Sequence, residues 1–193
     1  QVHGNEVQQV TIQEAGRGNR SLETAFPGKD SLITDEPGIL LTAFFADCVP
    51  LFFVDPKTGA IGLAHAGWRG TTAEIARTTV EAMSRHYGSR PENLRAAIGP
   101  SIGPCCYEVD EPVVERVRPL AEPDTGVVRE TKSGKYRLNL QELNRQIMIK
   151  AGILPTRIEI TSWCTSCHTE WFYSHRREQG RTGRMAAWIG WKR

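Results

Sequence analysis

No stretch of this sequence can cross a bilayer as a helix. The longest apolar run, Gly38 to Ala46, falls far short of the roughly 20 residues needed. Charge of one sign is also lacking. Lys and Arg number 24 against 22 Asp and Glu, and a formal net charge of +2 gives no reason to expect nucleic acid or an acidic membrane as partner. Aromatic residues, 8% of the chain, are not interleaved with basic clusters over most of its length, so a single-strand stacking groove is not suggested. No internal repeat or low-complexity tract stands out. The opening Gln1-Val2-His3-Gly4 carries no charged leader followed by an apolar run, so no signal peptide is expected.

Cysteines are few and odd in number: five, two of them adjacent (Cys105, Cys106), with spacing unlike that of a small secreted scaffold. Such usage favours reduced thiols, and a cytoplasmic location is expected. What is present is ordinary for a globular chain. Over 193 residues, 39% hydrophobic content is enough to bury a core without disulfides or structural metal.

Periodicity sketches the elements. Val7 to Ile12 alternates like a half-buried strand, Gly16 to Arg20 reads as a loop, and Ile39 to Ala46 reads as a buried strand. Leu51 to Val54 is a second apolar run. Asp55-Pro56-Lys57-Thr58-Gly59 turns it back into Ala60 to Ala64, a hairpin. Thr71 or Thr72 is expected to cap a helix reaching Tyr87, with Ile75, Thr79, Ala82 and Met83 as its apolar stripe and Gly88 as its stop. Leu94 to Ile98 reads as a strand, Asp110 to Val117 as a helix, and Pro119 to Gly134 as a turn-rich segment. Asn139 caps a helix from Leu140 to Ala151, and Ile158 to Ile160 and Met185 to Ile189 read as strands. Helices interleave with strands and hairpins occur too, which predicts an α+β (mixed α/β) domain.

Three segments carry chemistry: Gln1-Val2-His3-Gly4, Asp47-Cys48-Val49-Pro50 and His65-Ala66-Gly67-Trp68-Arg69-Gly70. Each sets a candidate ligand or nucleophile at a strand end beside glycine or proline, where rigid strands deliver groups to accessible loops. If Phe44 to Val54 and Ala60 to Ala66 pair in one sheet, Cys48 and His65 can meet. One thiolate and two imidazoles suit zinc, and three protein ligands leave a fourth position open for catalysis. That position can bind water and lower its pKa, or polarise a substrate atom. Asp47 could orient a ligand or equally cap a turn. The bland reading competes, because a buried cysteine is usually an inert small hydrophobe and 17 positions (65 − 48) separate Cys48 from His65.

At these segments the sequence resembles the YfiH-like family, the laccase-domain or purine nucleoside phosphorylase proteins that include the peptidoglycan-editing factor. Ala97-Ile98-Gly99-Pro100-Ser101-Ile102-Gly103-Pro104-Cys105-Cys106-Tyr107-Glu108-Val109 is similar to a second family signature. Cys164-Thr165-Ser166-Cys167, Phe172-Tyr173-Ser174-His175-Arg176-Arg177 and Thr182-Gly183-Arg184 are similar to the C-terminal one. The resemblance implies zinc ligands at His3, Cys48 and His65, which are then the catalytic centre, with copper an alternative metal. It implies a four-layer α/β/β/α fold in which two mixed sheets pack face to face. It also implies one YfiH-like, laccase-type domain over residues 1–193 without the strands that family members carry before the segment matching Gln1.

The activities implied are phosphorolysis of adenosine, inosine, guanosine and methylthioadenosine, and adenosine deamination. The partners are then a purine nucleoside and phosphate, and the enzyme is expected as a monomer or homodimer. Arg69 in the glycine-rich turn suits a phosphate fork, helped by backbone N–H groups near Gly70. Arg176, Arg177 and Arg184 are lesser candidates against a reading as solvated surface arginines. Two other classes compete. One is a hydrolase or amidase with Cys48 as nucleophile and His3 or His65 as base, editing a peptidoglycan precursor. The other is a copper polyphenol oxidase. Five histidines (His3, His65, His86, His168, His175) cannot furnish a mononuclear and a trinuclear copper centre, so a multicopper mechanism is disfavoured.

Two cysteine signals are discounted. Cys164-Thr165-Ser166-Cys167-His168 spells the haem c attachment pattern, but attachment needs an exported chain and a haem cavity. A second zinc there lacks a fourth ligand nearby in sequence, while a Cys164–Cys167 disulfide stays open. Cys105 and Cys106 are expected simply to pack, since neighbouring cysteines rarely bridge. Trp163, Trp171, Trp188 and Trp191 are assigned to core packing, or one of them to the wall of a nucleoside pocket.

Overall fold

The computed structural model describes residues 1–192. Its strands and helices, in chain order, are β1 (Val7–Gln9), β2 (Ser31–Thr34), β3 (Leu40–Phe45), β4 (Val49–Val54), β5 (Ile61–Ala66), α1 (Trp68–Thr72), α2 (Ile75–Tyr87), β6 (Arg95–Ile98), β7 (Glu108–Val109), α3 (Glu111–Val117), β8 (Val128–Glu130), β9 (Tyr136–Leu138), α4 (Leu140–Lys150), β10 (Ile158–Ile160) and β11 (Met185–Gly190). A six-stranded mixed sheet runs β1-β2-β5-β4-β6-β10. A two-stranded ribbon pairs β11 with β3, and a small antiparallel sheet runs β7-β9-β8. Among the described residues no helix is long and apolar enough to cross a membrane.

Period-two alternation sorts the central sheet between two partners. Ile33, Leu51, Phe53 and Ala64 face the helices, packing with Ile75, Val80 and Met83 of α2 and Leu143 and Ile147 of α4. Leu32, Phe52, Ile61 and Leu63 face the other way, onto Leu41 of β3 and Ile189 of β11. All six residues of β5 are therefore buried, between a helix layer and a strand layer. Gly62 lets α2 come close: a Cβ there would lie 3.3 Å from Met83 Sδ and 3.3 Å from Ile33 Cγ2. On the same alternation His65 falls with Ile61 and Leu63, towards the ribbon, where its ring meets Phe45 at 5.3 Å between centroids.

Several sequence expectations change here. The Ile39 to Ala46 run is not buried throughout, because β3 alternates and leaves Leu40 61% and Phe44 54% exposed on its outer side. Phe44 also does not continue into β4. The chain leaves the ribbon after Phe45, and of the two strands β3 and β4 it is β4 that pairs antiparallel with β5. Thr71 is no helix cap. Helix α1 begins after Gly67, and Glu74 in the left-handed region (φ 57°) separates it from α2. Thr71 is fully buried, and its Oγ1 accepts from Asn144 Nδ2 of α4 at 3.0 Å. Strand β2 went unread, and so did β8 within the turn-rich segment. The Asn139 cap stands: its Oδ1 accepts from the Glu142 N–H at 3.1 Å.

Candidate metal centre

Three chain segments meet at one end of β4 and β5. The register sets Pro50 opposite His65, so Cys48, two residues earlier, lies just past the end of β5. His3 reaches the same place from the N-terminal segment. His3, Cys48 and His65 each offer one ligand atom within 4.8 Å of the others, and the two imidazoles meet edge to face at 4.9 Å between centroids. Gly67 completes the wall. A Cβ there would lie 2.8 Å from His3 Cδ2 and 3.0 Å from Cys48 Sγ, so the bare backbone is what lets all three approach. Two non-glycine residues at this corner, His3 (φ 62°) and Asp47 (φ 79°), hold left-handed backbone. Such strain persists only where surrounding contacts impose it.

Asp30, directly ahead of β2, imposes it at His3. Its carboxylate accepts from three successive backbone N–H groups: Val2 (3.0 Å), His3 (3.1 Å) and Gly4 (2.8 Å). It also bonds His65 Nδ1 at 3.0 Å, which leaves Nε2 of that ring as the free donor atom for a cation. Burial opposes ionisation of Asp30, but the bonds from His65 and the three N–H groups outweigh it. The carboxyl is held well below the usual carboxylate range. Sequence reading missed this residue because β2 went unread. The signal available was an acid directly ahead of the short apolar-bearing run Ser31-Leu32-Ile33-Thr34.

The ionisable ligands are arranged for a cation. Burial, then the neighbouring His65, lowers the His3 pKa, so its ring is a neutral donor. Burial, then the charges of Asp47 and Asp30, push the Cys48 thiol up to about 12. Asp47 does not orient a ligand. Its Oδ1 accepts from Thr165 Oγ1 at 2.6 Å and its Oδ2 from the Arg176 N–H at 2.7 Å, tying the C-terminal loops behind Cys48.

The arginines divide. Arg69 lies over Trp68 (4.6 Å to the ring centroid), and its charge acts on both His3 and Tyr107. Arg176 lies over Tyr107 at 5.2 Å and donates from its guanidinium to the Glu108 carbonyl at 2.8 Å. Burial, then the nearby Cys48, pushes the Tyr107 phenol up to about 12. Tyr107 thus feels the charges of both arginines and of Cys48, a role that sequence reading does not single out. The exposed Arg177 is set apart. Its backbone N–H donates to Ser174 Oγ, and its side chain has no hydrogen-bond or ion-pair partner among the described residues. Arg184 donates to the Thr182 and Gly183 carbonyls, with its charge close enough to act on Cys48.

Two cavities flank the fold. One of about 420 Å3 lies beside α3 and the small sheet, lined by Arg118, Glu122, Asp124 and Tyr136, and touches none of the three ligands. An apolar cleft of about 270 Å3 is lined by Phe45, Pro50, Phe52, Phe172 and Trp188; none of the three ligands lines it, but Phe45, on its wall, packs against the His65 ring. The remaining histidines lie elsewhere. His86 packs beside Tyr87 on α2, His168 against Trp163, and His175 against Gly180.

Residues 1–192 match the model of a family described as multi-copper polyphenol oxidoreductase laccase. The chain belongs to this family. Among its relatives, the purine nucleoside phosphorylase YlmD of Geobacillus stearothermophilus is 48% identical over 191 residues, covering 98% of this chain and 70% of that one. The purine nucleoside phosphorylase YlmD of Bacillus subtilis is 43% identical over 192 residues, covering 100% of this chain and 69% of the relative. The crystal structure of Bacillus licheniformis hypothetical protein YfiH superposes with a TM-score of 0.96 at 44% identity, covering 100% of this chain and 72% of that one. This laccase-type membership and the mixed α/β fold agree with the resemblance read from the sequence.

A cysteine expectation is overturned in the same region. Cys105 is exposed and Cys106 half-buried, so the pair is not packed away. Both meet Cys164 and Cys167, whose missing partners in sequence turn out to lie some 60 positions upstream.

Filling the Gly67 corner tests whether close approach of the ligands matters. Gly67→Ala is expected to weaken metal affinity by about 10- to 100-fold with little change in far-UV circular dichroism. Metal titration by calorimetry reads it, and unchanged affinity would show that the corner tolerates a methyl group.

Proposed function

We propose that this chain is a zinc-dependent purine nucleoside enzyme that cleaves its substrate with phosphate and also deaminates adenosine. One observation carries the reading: His3, Cys48 and His65 converge with their donor atoms within 4.8 Å, as a Cys/His2 set with an open position requires. The names of the relatives, purine nucleoside phosphorylase, support the substrate class. Held by these three residues, zinc supplies a Lewis-acid centre that polarises a substrate atom or lowers the pKa of water.

The chain's own groups supply the rest. In phosphorolysis a phosphate oxygen bonds the ribose anomeric carbon as the bond to purine N9 breaks, and the purine takes a proton. Arg69, whose charge acts on the ligand His3, and Arg176, which lies over Tyr107, suit the phosphate as planar forks. The cleft beside Phe45 offers flat apolar walls to the base, with Trp188 at its rim. In deamination water adds its oxygen at purine C6 and ammonia leaves. Adenosine, inosine, guanosine and methylthioadenosine all carry the purine and the ribose-type ring that these two subsites address.

The test is product analysis with and without phosphate and metal. Phosphate-dependent release of free base supports phosphorolysis, and ammonia release without phosphate supports deamination. Neither product at any zinc loading would defeat the reading. Arg69→Ala is expected to raise the KM for phosphate about 10-fold or more with a smaller change in the KM for nucleoside, read by initial rates. Equal effects on both would remove the phosphate role.

The Cys48 hydrolase reading requires a thiolate, whereas the pocket keeps this thiol protonated unless a cation draws the proton away. A copper oxidase of the multicopper kind requires further histidines, and His86, His168 and His175 are dispersed.

A further inference from the structure

We propose that Cys105, Cys106, Cys164 and Cys167 form a second metal site, a closed four-thiolate site for one zinc-class ion that clamps two loops behind the Cys/His2 centre. The four sulfurs all lie within 4.8 Å of one another. Cys167 Sγ is 3.5 Å from Cys105 Sγ and 3.4 Å from Cys106 Sγ. Four thiolates at zinc–sulfur bond length around a tetrahedral ion stand about 3.8 Å apart, so the observed group is close to that shape. A disulfide brings two sulfurs to about 2.05 Å and has no use for a third and fourth. Core packing does not explain the group either, because Cys105 and Cys167 are exposed.

The backbone presents the thiols in two tight turns. In one, the N–H groups of Cys106 and Tyr107 donate to the Gly103 carbonyl (3.0 and 2.9 Å). In the other, the N–H groups of Cys167 and His168 donate to the Cys164 carbonyl (both 3.2 Å). Parallel pairing of β6 with β10 continues as a bridge between Ser101 and Cys164, so the two turns leave the sheet side by side. Gly103 donates its N–H to Cys164 Sγ at 3.2 Å, the kind of bond that stabilises a metal-bound thiolate. A Cβ on Gly103 would sit 3.4 Å from Cys105 Sγ and 3.2 Å from Cys164 Cβ, so the glycine keeps the turn against the sulfurs.

Binding a divalent ion here releases the four thiol protons to solvent and leaves a complex of net charge −2. All four positions are then filled by protein, so the ion has no place for substrate. Its effect is mechanical. The first clamped loop donates the Ile102 N–H to the Asp47 carbonyl (2.9 Å), and the second donates Thr165 Oγ1 to the Asp47 carboxylate. Asp47 directly precedes Cys48, so the clamp braces the backbone that carries a ligand of the first centre.

The experiment uses the full chain, purified reduced in zinc, as wild type, as Cys48→Ala and as the double variant Cys105→Ser/Cys167→Ser. Elemental analysis is expected to give about two ions per wild-type chain and about one for each variant. Cobalt-substituted Cys48→Ala is expected to show the intense sulfur-to-metal charge transfer and tetrahedral d–d bands of a four-thiolate site, both lost when Cys105→Ser and Cys167→Ser are added to Cys48→Ala. In zinc-loaded Cys48→Ala the four thiols are expected to resist a disulfide reagent until a chelator is added. Should the double variant fail to fold, the cobalt spectrum and thiol protection of Cys48→Ala decide the matter. Cys48→Ala that binds no ion, with four freely reactive thiols or with mass-spectrometric evidence of disulfides among them, overturns the proposal. None of these readouts depends on nucleoside chemistry.

Discussion

Cys48→Ala is expected to lose bound metal from the Cys/His2 centre and to lose nucleoside turnover by a factor on the order of 10^3 or more. The thiol supplies the one negatively charged donor of the set, while His3 and His65 supply neutral nitrogens. Without it two imidazoles remain, which is too few to hold zinc at working concentrations. The loss should be confined to the site. Cys48 lies in the bend before β4, and the β4–β5 register that starts at Val49 does not use its side chain, so the melting temperature without metal is expected to change little. Cys48→His separates ligand from nucleophile: a third imidazole is expected to restore part of the metal binding and of the turnover. Turnover that persists in metal-free wild type, yet vanishes on alkylation of Cys48, would instead favour the hydrolase chemistry.

Asp30→Asn is expected to be the next most damaging change, because one carboxylate does two jobs. It accepts from the N–H groups that curl Val2, His3 and Gly4 into place, and it holds the His65 ring by Nδ1. An amide is nearly the same size, but its NH2 would face N–H donors, and it carries no charge to match them. Loss of such a ligand-orienting partner weakens metal affinity about 10- to 100-fold. Breaking a buried charged network adds a stability loss of about 3 kcal/mol, read as a lower urea midpoint. Zinc affinity and a proteolysis assay of the N-terminal segment check both halves. Unchanged affinity together with a protected His3 would remove Asp30 from the site.

These two residues were legible to very different degrees. Cys48 and His65 stood out because each ends a strongly patterned apolar run, and the hairpin turn at Asp55 to Gly59 implied that those runs pair. Asp30 follows a polar, turn-rich stretch and precedes a strand of only four residues. Its importance comes from three backbone N–H groups 26 to 28 positions away, which no local pattern announces. Asp47 misled for the opposite reason. Adjacent to a ligand in sequence, it points to Thr165 and Arg176, 118 and 129 positions further on. Arg69 in its glycine-rich turn reads as the stronger phosphate candidate and Arg177 as a lesser one, and the fold agrees in letting the Arg69 charge act on His3 and Tyr107 while the Arg177 side chain has no partner among the described residues.

The sequence by itself determined the element types over most of the chain, the hairpin that pairs β4 with β5, the α4 cap, the family resemblance, and which cysteine and histidines were worth watching. Those properties are local, set by side-chain chemistry and by periods of two or 3.6 residues. The tertiary structure alone decided that β3 leaves the main sheet, that Asp30 and not Asp47 grips a histidine, and that Cys105 and Cys106 complete a cluster with Cys164 and Cys167. Each of those joins residues far apart along the chain. Which distant partners meet depends on how the sheet and its flanking layers pack, and that packing is a property of the whole fold.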